Sequence, residues 1–235
     1  MTDIGAALGA AFSMIVHLDR DLAEIVGLSL RVSLSAVFLA TVIGMPLGAA
    51  LALFRFPGRA AVVVLLNALM GLPPVVVGLI VYLLLSRAGP FGVMGLLFTP
   101  TAMIAAQVLL LVPIIAALTR QVAEELWTEY EDQLRSLGAG PGQALVAILW
   151  DGRLILMTAL LAGFGRASAE VGGVMIVGGN IDHVTRVMTT AIALEVSKGN
   201  LALALGLGIV LIVLSTAISF AAYQFKEAAL RRHAI

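Results

Sequence analysis

Glu124-Glu-Leu-Trp-Thr-Glu-Tyr-Glu-Asp-Gln-Leu-Arg-Ser-Leu-Gly-Ala-Gly-Pro-Gly-Gln-Ala-Leu-Val-Ala-Ile-Leu-Trp-Asp-Gly-Arg153 is a charged, turn-containing segment set between long apolar runs. Trp127 to Leu137 favours a helix, with Glu129, Glu131 and Asp132 near its start. Gly138 and the run Gly140-Pro141-Gly142 then break it. Gln143 to Trp150 resumes as a second helix. A helix, a glycine turn and a helix form a compact knob outside the apolar layer, of a kind that a groove on a partner can grip.

The rest of the chain says what that layer is. Of 235 residues, 61% are hydrophobic and only 12% charged, and the mean hydropathy is +1.08. Soluble domains do not have this composition, so the chain reads as an integral membrane protein. Its 14 basic and 14 acidic residues cancel, and they cluster between apolar runs instead of forming a basic face, which argues against nucleic acid as a partner. There is no cysteine, so disulfides, Cys-ligated metals and thiol chemistry are excluded.

Crossing the hydrocarbon takes roughly 20 apolar residues at about 1.5 Å of rise each. Five segments qualify: Ile25 to Phe54, Ala60 to Ser86, Pro100 to Thr119, Leu154 to Val177 and Leu201 to Phe225. The first contains Arg31 and the fourth Arg166 and Glu170; the others carry no charge. The fold class expected is therefore all-α integral membrane, one domain over residues 1–235 with a five-span core at 25–225. Residues 1–24 form an outer segment in this reading. Within it the run from Ile4 to Leu18, which contains His17 and is bounded by Asp3 and Asp19, reads as a surface-lying helix. Residues 183–198 read as a short amphipathic helix tucked in from the outer side, with Val184, Val187, Met188, Ala191 and Ile192 on its apolar face. The N-terminal Met-Thr-Asp-Ile-Gly carries an acid where a signal peptide has bases, so no cleaved segment is expected. The tail at 226–235 is expected to leave no room for an added regulatory domain.

Sorting the basic residues by the spans they flank puts Arg55, Arg59, Arg120, Arg135, Arg153, Lys226, Arg231 and Arg232 on the side of the knob, against Arg20, Arg87, Arg186 and Lys198 on the other. The positive-inside rule makes the knob side cytoplasmic, with the N-terminus outside and the C-terminus inside. Pro46, Pro73, Pro74 and Pro113 fall inside the first three spans, where each is expected to kink its helix. The pairs Gly172-Gly173 and Gly178-Gly179 suit close helix contact or a left-handed turn.

The knob also carries a spacing: Asp132 lies six residues before Gly138, and Ile148 ten after it. This resembles the cytoplasmic coupling loop, the EAA loop, of ABC-importer permeases: Glu-Ala-Ala, three residues, Gly, nine residues, Ile. Two departures stand out. Asp132-Gln133-Leu134 replaces Glu-Ala-Ala, and Trp150-Asp151 replaces the common Leu-Pro. The resemblance implies the type I ABC-importer permease core, with the loop at 124–153 inserting into a separate ATPase. It assigns the coupling role to Glu131, Asp132, Ser136, Leu137, Gly138 and Ala139.

A second signal is Gly165-Arg166-Ala167-Ser168-Ala169-Glu170-Val171-Gly172, inside the fourth span. An arginine at mid-membrane costs about 2.5–3.5 kcal/mol on insertion scales, so it should face protein or water. Arg166 and Glu170 are four apart, on one helix face. Two roles stay open: an element of an anion path, or a structural ion pair holding helices together. The succession Arg-x-x-x-Glu-x-Gly, then Gly178-Gly179-Asn180-Ile181, then Thr185-Arg186-Val187-Met188-Thr189-Thr190-Ala191-Ile192-Ala193-Leu194-Glu195 is similar to the tungstate branch of the molybdate/tungstate/sulfate permease family. The likeness runs from about Leu28 to Phe225. It implies a prokaryotic inner-membrane homodimer working with two copies of an ABC ATPase and an extracytoplasmic oxyanion-binding protein. Thr185, Thr189 and Thr190 can offer hydroxyls to a tetrahedral dianion that Arg186 attracts at the outer mouth; the plainer reading makes most of them the polar face of their helix.

Catalysis finds no footing. The only lysines, Lys198 and Lys226, lack a Gly-Lys-Ser/Thr context, so the chain has no phosphate-binding loop of its own. His17, His183 and His233 lie far apart with no metal-ligand spacing, and no Gly-x-Ser-x-Gly elbow is present. No cofactor or metal is expected. A carrier driven by an ion gradient is the competing class, expected to bear several intramembrane acids or an internal repeat. Only Glu170 lies deep in a span, and five spans do not halve.

Overall fold

The computed structural model describes Ser13 and residues 20–233. Apart from Ser13, the expected surface helix at 4–18 lies outside the described residues. Every regular element among those residues is helical: α1 Arg20–Leu53, α2 Arg59–Met70, α3 Pro74–Leu85, a 3-10 turn Gly92–Met94, α4 Pro100–Ser136, α5 Pro141–Asp151, α6 Arg153–Ser168, α7 Gly172–Gly178, α8 Met188–Ser197 and α9 Leu201–His233. Three of them, α1, α4 and α9, are long and apolar enough to cross a membrane; counting the bent pairs α2/α3 and α5/α6 as one span each raises the number to five.

Proline acts at boundaries more than inside helices. The expected span Ala60–Ser86 is two helices bent by 103°, because Pro73 caps α3 and Pro74 is its first residue, where a missing N–H costs nothing. Pro100 and Pro141 likewise open α4 and α5. Pro46 and Pro113 sit inside α1 and α4, which continue through them. The expected fourth span also ends early. Helix α6 stops at Ser168 and α7 begins only at Gly172, so the sixteen residues of α6 rise about 24 Å, short of the roughly 30 Å hydrocarbon layer. The helix expected from Trp127 is the C-terminal end of α4, unbroken over 37 residues.

The chain divides into two compact units, to both of which α1, α4 and α9 contribute: one made of residues up to Ala36, Pro73–Gln107 and Gly165–Ser219, the other of Val37–Leu72, Val108–Phe164 and the chain from Phe220 on. In the first, Leu22, Met188, Ala191 and Leu207 form a core with Ile25, Val26, Ile192 and Leu203 around it. Here α8 lies against α1, and the Met188 N–H donates to Ser29 Oγ at 2.7 Å. Val187, Met188 and Ala191 are buried as their spacing predicts, whereas Val184 lies in the preceding turn, 45% exposed. Helix α3 meets α7 through glycine: a Cβ on Gly78 would stand 2.7 Å from Gly173 Cα, and one on Gly172 2.7 Å from Val75 Cγ2.

In the second unit α1 crosses α4 just as tightly. A Cβ on Gly48 would fall 2.3 Å from the Ala116 carbonyl oxygen. Below that crossing, Ala49, Ala52 and Leu53 of α1 pack with Ala123 of α4 and Ala144 and Ile148 of α5.

Candidate coupling knob and intramembrane ion pair

The knob lies within the second unit. Helix α4 ends in a Schellman turn: the Ala139 N–H donates to Leu134 O and the Gly138 N–H to Arg135 O, both at 3.0 Å. Gly138 has φ +69°, a left-handed conformation that disfavours any residue with a Cβ. Gln143 then reaches back with Oε1 to accept the Gly140 N–H at 2.8 Å, half of a capping box, and Pro141 starts α5. Ile148, 1% exposed, anchors α5 in the core of the unit.

This leaves the turn and one flank bare. Asp132, Ser136, Leu137 and Gly138 are exposed, Ala139 is half-buried, and Glu131 is half-buried in an ion pair with Arg135 at 2.5 Å. Leu137 is 81% exposed. The sequence reading missed a second group on α5: Val146 and Trp150, 64% and 69% exposed, line an open groove with Gly142, Gln143 and Ala147. Its signal was available, since Val146 and Trp150 repeat at helical spacing opposite the buried pair Ala144 and Ile148. Arg153 stacks over the Trp150 ring, 4.6 Å from its centroid. The phenol of Tyr130 is pushed above its usual range, first by the charge of Asp151 and then by that of Glu129.

The ion pair lies within the first unit, at the break between α6 and α7. Arg166 Nη1 donates to Glu170 Oε2 at 2.7 Å. The other carboxylate oxygen accepts the Gly173 N–H at 2.9 Å, and the Glu170 carbonyl accepts the Thr189 hydroxyl at 2.7 Å. Glu170 is buried at 3%, while Arg166 keeps 33% of its side chain open. A guanidinium has five N–H donors, so one bond to Glu170 leaves capacity for another acceptor. Gln107, 3% exposed, donates from Nε2 to Ala167 O at 3.2 Å. Sequence reasoning passed over it, although an amide inside the apolar run of α4 was the visible signal.

Arg166, Glu170 and Thr189 thus come together, while Thr185 and Thr190 turn inward. The Thr185 hydroxyl donates to Gly178 O at 2.5 Å and accepts the Ile181 N–H at 2.9 Å. Thr190 Oγ1 accepts the Val187 N–H at 3.1 Å at the start of α8. Both are buried, because local backbone groups satisfy their hydroxyls. Arg186 pairs with Asp182 at 2.6 Å. Next to it His183 Nδ1 meets Glu24 Oε2 at 2.9 Å, and that hydrogen bond, aided by the charge of Asp182, holds the imidazole pKa above its usual value.

Residues 44–230 match the family described as binding-protein-dependent transport system inner membrane component. The chain belongs to that family. It is accordingly a multi-pass inner-membrane permease, a transport component and not itself a catalyst. Among its relatives is the tungstate uptake system permease protein TupB of Peptoclostridium acidaminophilum, 40% identical over 97% of this permease and 100% of the relative. TupB of Campylobacter jejuni is 36% identical over 74% of this chain and 73% of its own. The sulfate transport system permease protein CysW of Synechocystis is more distant, at 30% over 84% of this chain and 74% of its own.

Proposed function

We propose that this permease is the membrane-spanning subunit of an ABC importer that carries an oxyanion, tungstate, into the cytoplasm. The observation that carries the reading is the 40% identity to a tungstate permease over 97% of the chain, and the exposed helix–Gly138–helix knob agrees with it. The working assembly has two copies of this chain, forming one transmembrane domain each, with two copies of an ABC ATPase and an extracytoplasmic binding protein that delivers the anion. The excess of arginine and lysine beside the knob supports a cytoplasmic knob and C-terminus, with the N-terminus outside.

Function follows from two fixed features. The turn at Glu131, Asp132, Ser136, Leu137, Gly138 and Ala139 is the lever that the ATPase grips, and closure of the ATPase dimer switches the path between inward-facing and outward-facing states. Arg166, with Glu170 holding it in place, is the cationic element of the path. Thr189, bonded to the Glu170 carbonyl, steadies that junction. Thr185 and Thr190 shape the neighbouring segment through their backbone bonds, and Arg186 stays paired with Asp182 beside it.

Uptake of sodium tungstate into proteoliposomes holding the permease, its ATPase and its binding protein tests this. Tungstate should accumulate only when ATP and the binding protein are both present. Uptake without ATP would replace the importer reading with a gradient-driven carrier. The likeness to a sulfate permease gives a second cargo reading, and accumulation of sulfate in preference to tungstate would establish it.

A further inference from the structure

Glu124 stands on α4 fourteen residues before Gly138, with about 18 Å of unbroken helix between it and the last helical residue, Ser136. Both of its carboxylate oxygens are gripped. Arg59 Nη2 donates to Oε1 at 2.5 Å and Arg120 Nη1 to Oε2 at 2.6 Å. Arg59 is the first residue of α2, and with Nε it also donates to Leu51 O at 2.6 Å. Leu51 belongs to the last turn of α1, where carbonyls have no partner within the helix. One guanidinium therefore joins the end of α1, the start of α2 and the shaft of α4. All of these residues lie in the second unit.

The surroundings make this join mechanical. Gly58, just before Arg59, has φ +86°, so the α1–α2 corner turns through a left-handed glycine. The end of α1 is packed against α4 and α5 by Ala49, Ala52, Ala123, Ala144 and Ile148, and Leu66 of α2 packs with Leu51, Ala116 and Ala117. The apolar contacts set distance but are non-directional. Charge-assisted hydrogen bonds fix orientation. Arg120, one turn up the same helix, holds the Glu124 carboxylate toward Arg59.

We infer that Glu124 is a positioning residue for transport, gripping Arg59 so that displacement of the knob turns the start of α2; this rests on the coupling function proposed above. Loss of the grip lets the shaft move without the corner. ATP hydrolysis then continues while transport slips.

The test compares wild type with Glu124→Gln, Arg59→Met and Arg59→Lys in proteoliposomes containing the complete assembly, measuring tungstate taken up per ATP hydrolysed. Glu124→Gln and Arg59→Met should lower that ratio about tenfold, within the usual span of coupling factors between linked sites. Arg59→Lys should recover part of it, because an ammonium reaches the carboxylate but does not serve Leu51 O in the same geometry. An unchanged ratio in Glu124→Gln and Arg59→Met, or equal ratios in Arg59→Met and Arg59→Lys, overturns the inference and leaves the importer reading intact. Wild type without ATP-dependent uptake overturns the importer reading itself. Should Glu124→Gln fail to assemble, the two Arg59 variants decide, since both keep the carboxylate paired with Arg120.

Discussion

Arg166 and Glu170 do different work at one break in the chain. The carboxylate is buried and fully used, by Arg166 on one oxygen and the Gly173 N–H on the other, so Glu170 is fixed; the guanidinium is partly open and has donors to spare. Arg166→Gln leaves the α7 start capped by Glu170. Uptake in that variant is expected to fall at least about tenfold, as when a charge-assisted bond to a moving anion is lost, with expression and assembly retained. Radiolabelled uptake normalised to assembled complex measures this, and retained uptake would assign Arg166 to structure alone. The spacing of Arg166 and Glu170 was legible, but the roles of Thr185 and Thr190 were not. A threonine that satisfies itself on local backbone is indistinguishable in sequence from one that faces a path.

His183 gives a pH signature at the same scale. Its pKa is raised, first by the hydrogen bond to Glu24 and then by the charges of Asp182 and Glu24, with Asp21 also nearby and Arg186 held on Asp182. A raised histidine stabilises the folded state fully below its unfolded pKa of about 6.5, and that contribution fades as pH rises through the higher folded value. Glu24→Gln should therefore lower the melting temperature at pH 5.5 and leave it nearly unchanged at pH 9. Melting curves in detergent at the two pH values check this, and an equal effect at both would remove the ionised clip.

At the scale of elements, small residues set how closely helices approach. Gly48 has the Ala116 carbonyl oxygen where a Cβ would go, whereas a Cβ on Gly142 would meet nothing within 4 Å. Gly48→Ala forces α1 and α4 apart at an overpacking cost of about 1–3 kcal/mol; Gly142→Ala, inside α5, should be neutral or stabilise by up to about 1 kcal/mol. Thermal denaturation of the two variants measures the difference. Much at this scale was legible. The apolar runs located α1, α4 and α9, and Gly138 with Gly140-Pro141-Gly142 marked the knob. Proline was harder to read, because inside a continuous apolar run a kink and a helix boundary look alike. At Gly71-Leu72-Pro73-Pro74 the outcome is a boundary with a 103° bend, since a second proline at the first position of α3 suits a new helix better than the old one. The continuity of α4 from Pro100 to Ser136 was also hidden, because the residues change from apolar to charged near Arg120 without any breaker.

For the whole molecule, α4 is the element to test, because it runs unbroken over 37 residues. One helix carries Gln107, which holds the Ala167 carbonyl beside Arg166, then Arg120 and Glu124, then the exposed turn at Gly138. Composition and charge distribution revealed a membrane protein with a polar knob, and the family match makes it a component of a binding-protein-dependent transport system. The chain has no cysteine, so Ser136→Cys puts one thiol on it, at an exposed position. The most direct measurement is crosslinking of Ser136→Cys in the assembled transporter with a short thiol-reactive reagent. The account predicts a covalent adduct with the ATPase subunit whose yield changes between nucleotide-free and ATP-bound states and which arrests tungstate uptake. A thiol that captures no ATPase, or that an impermeant reagent labels from outside intact cells, would contradict it.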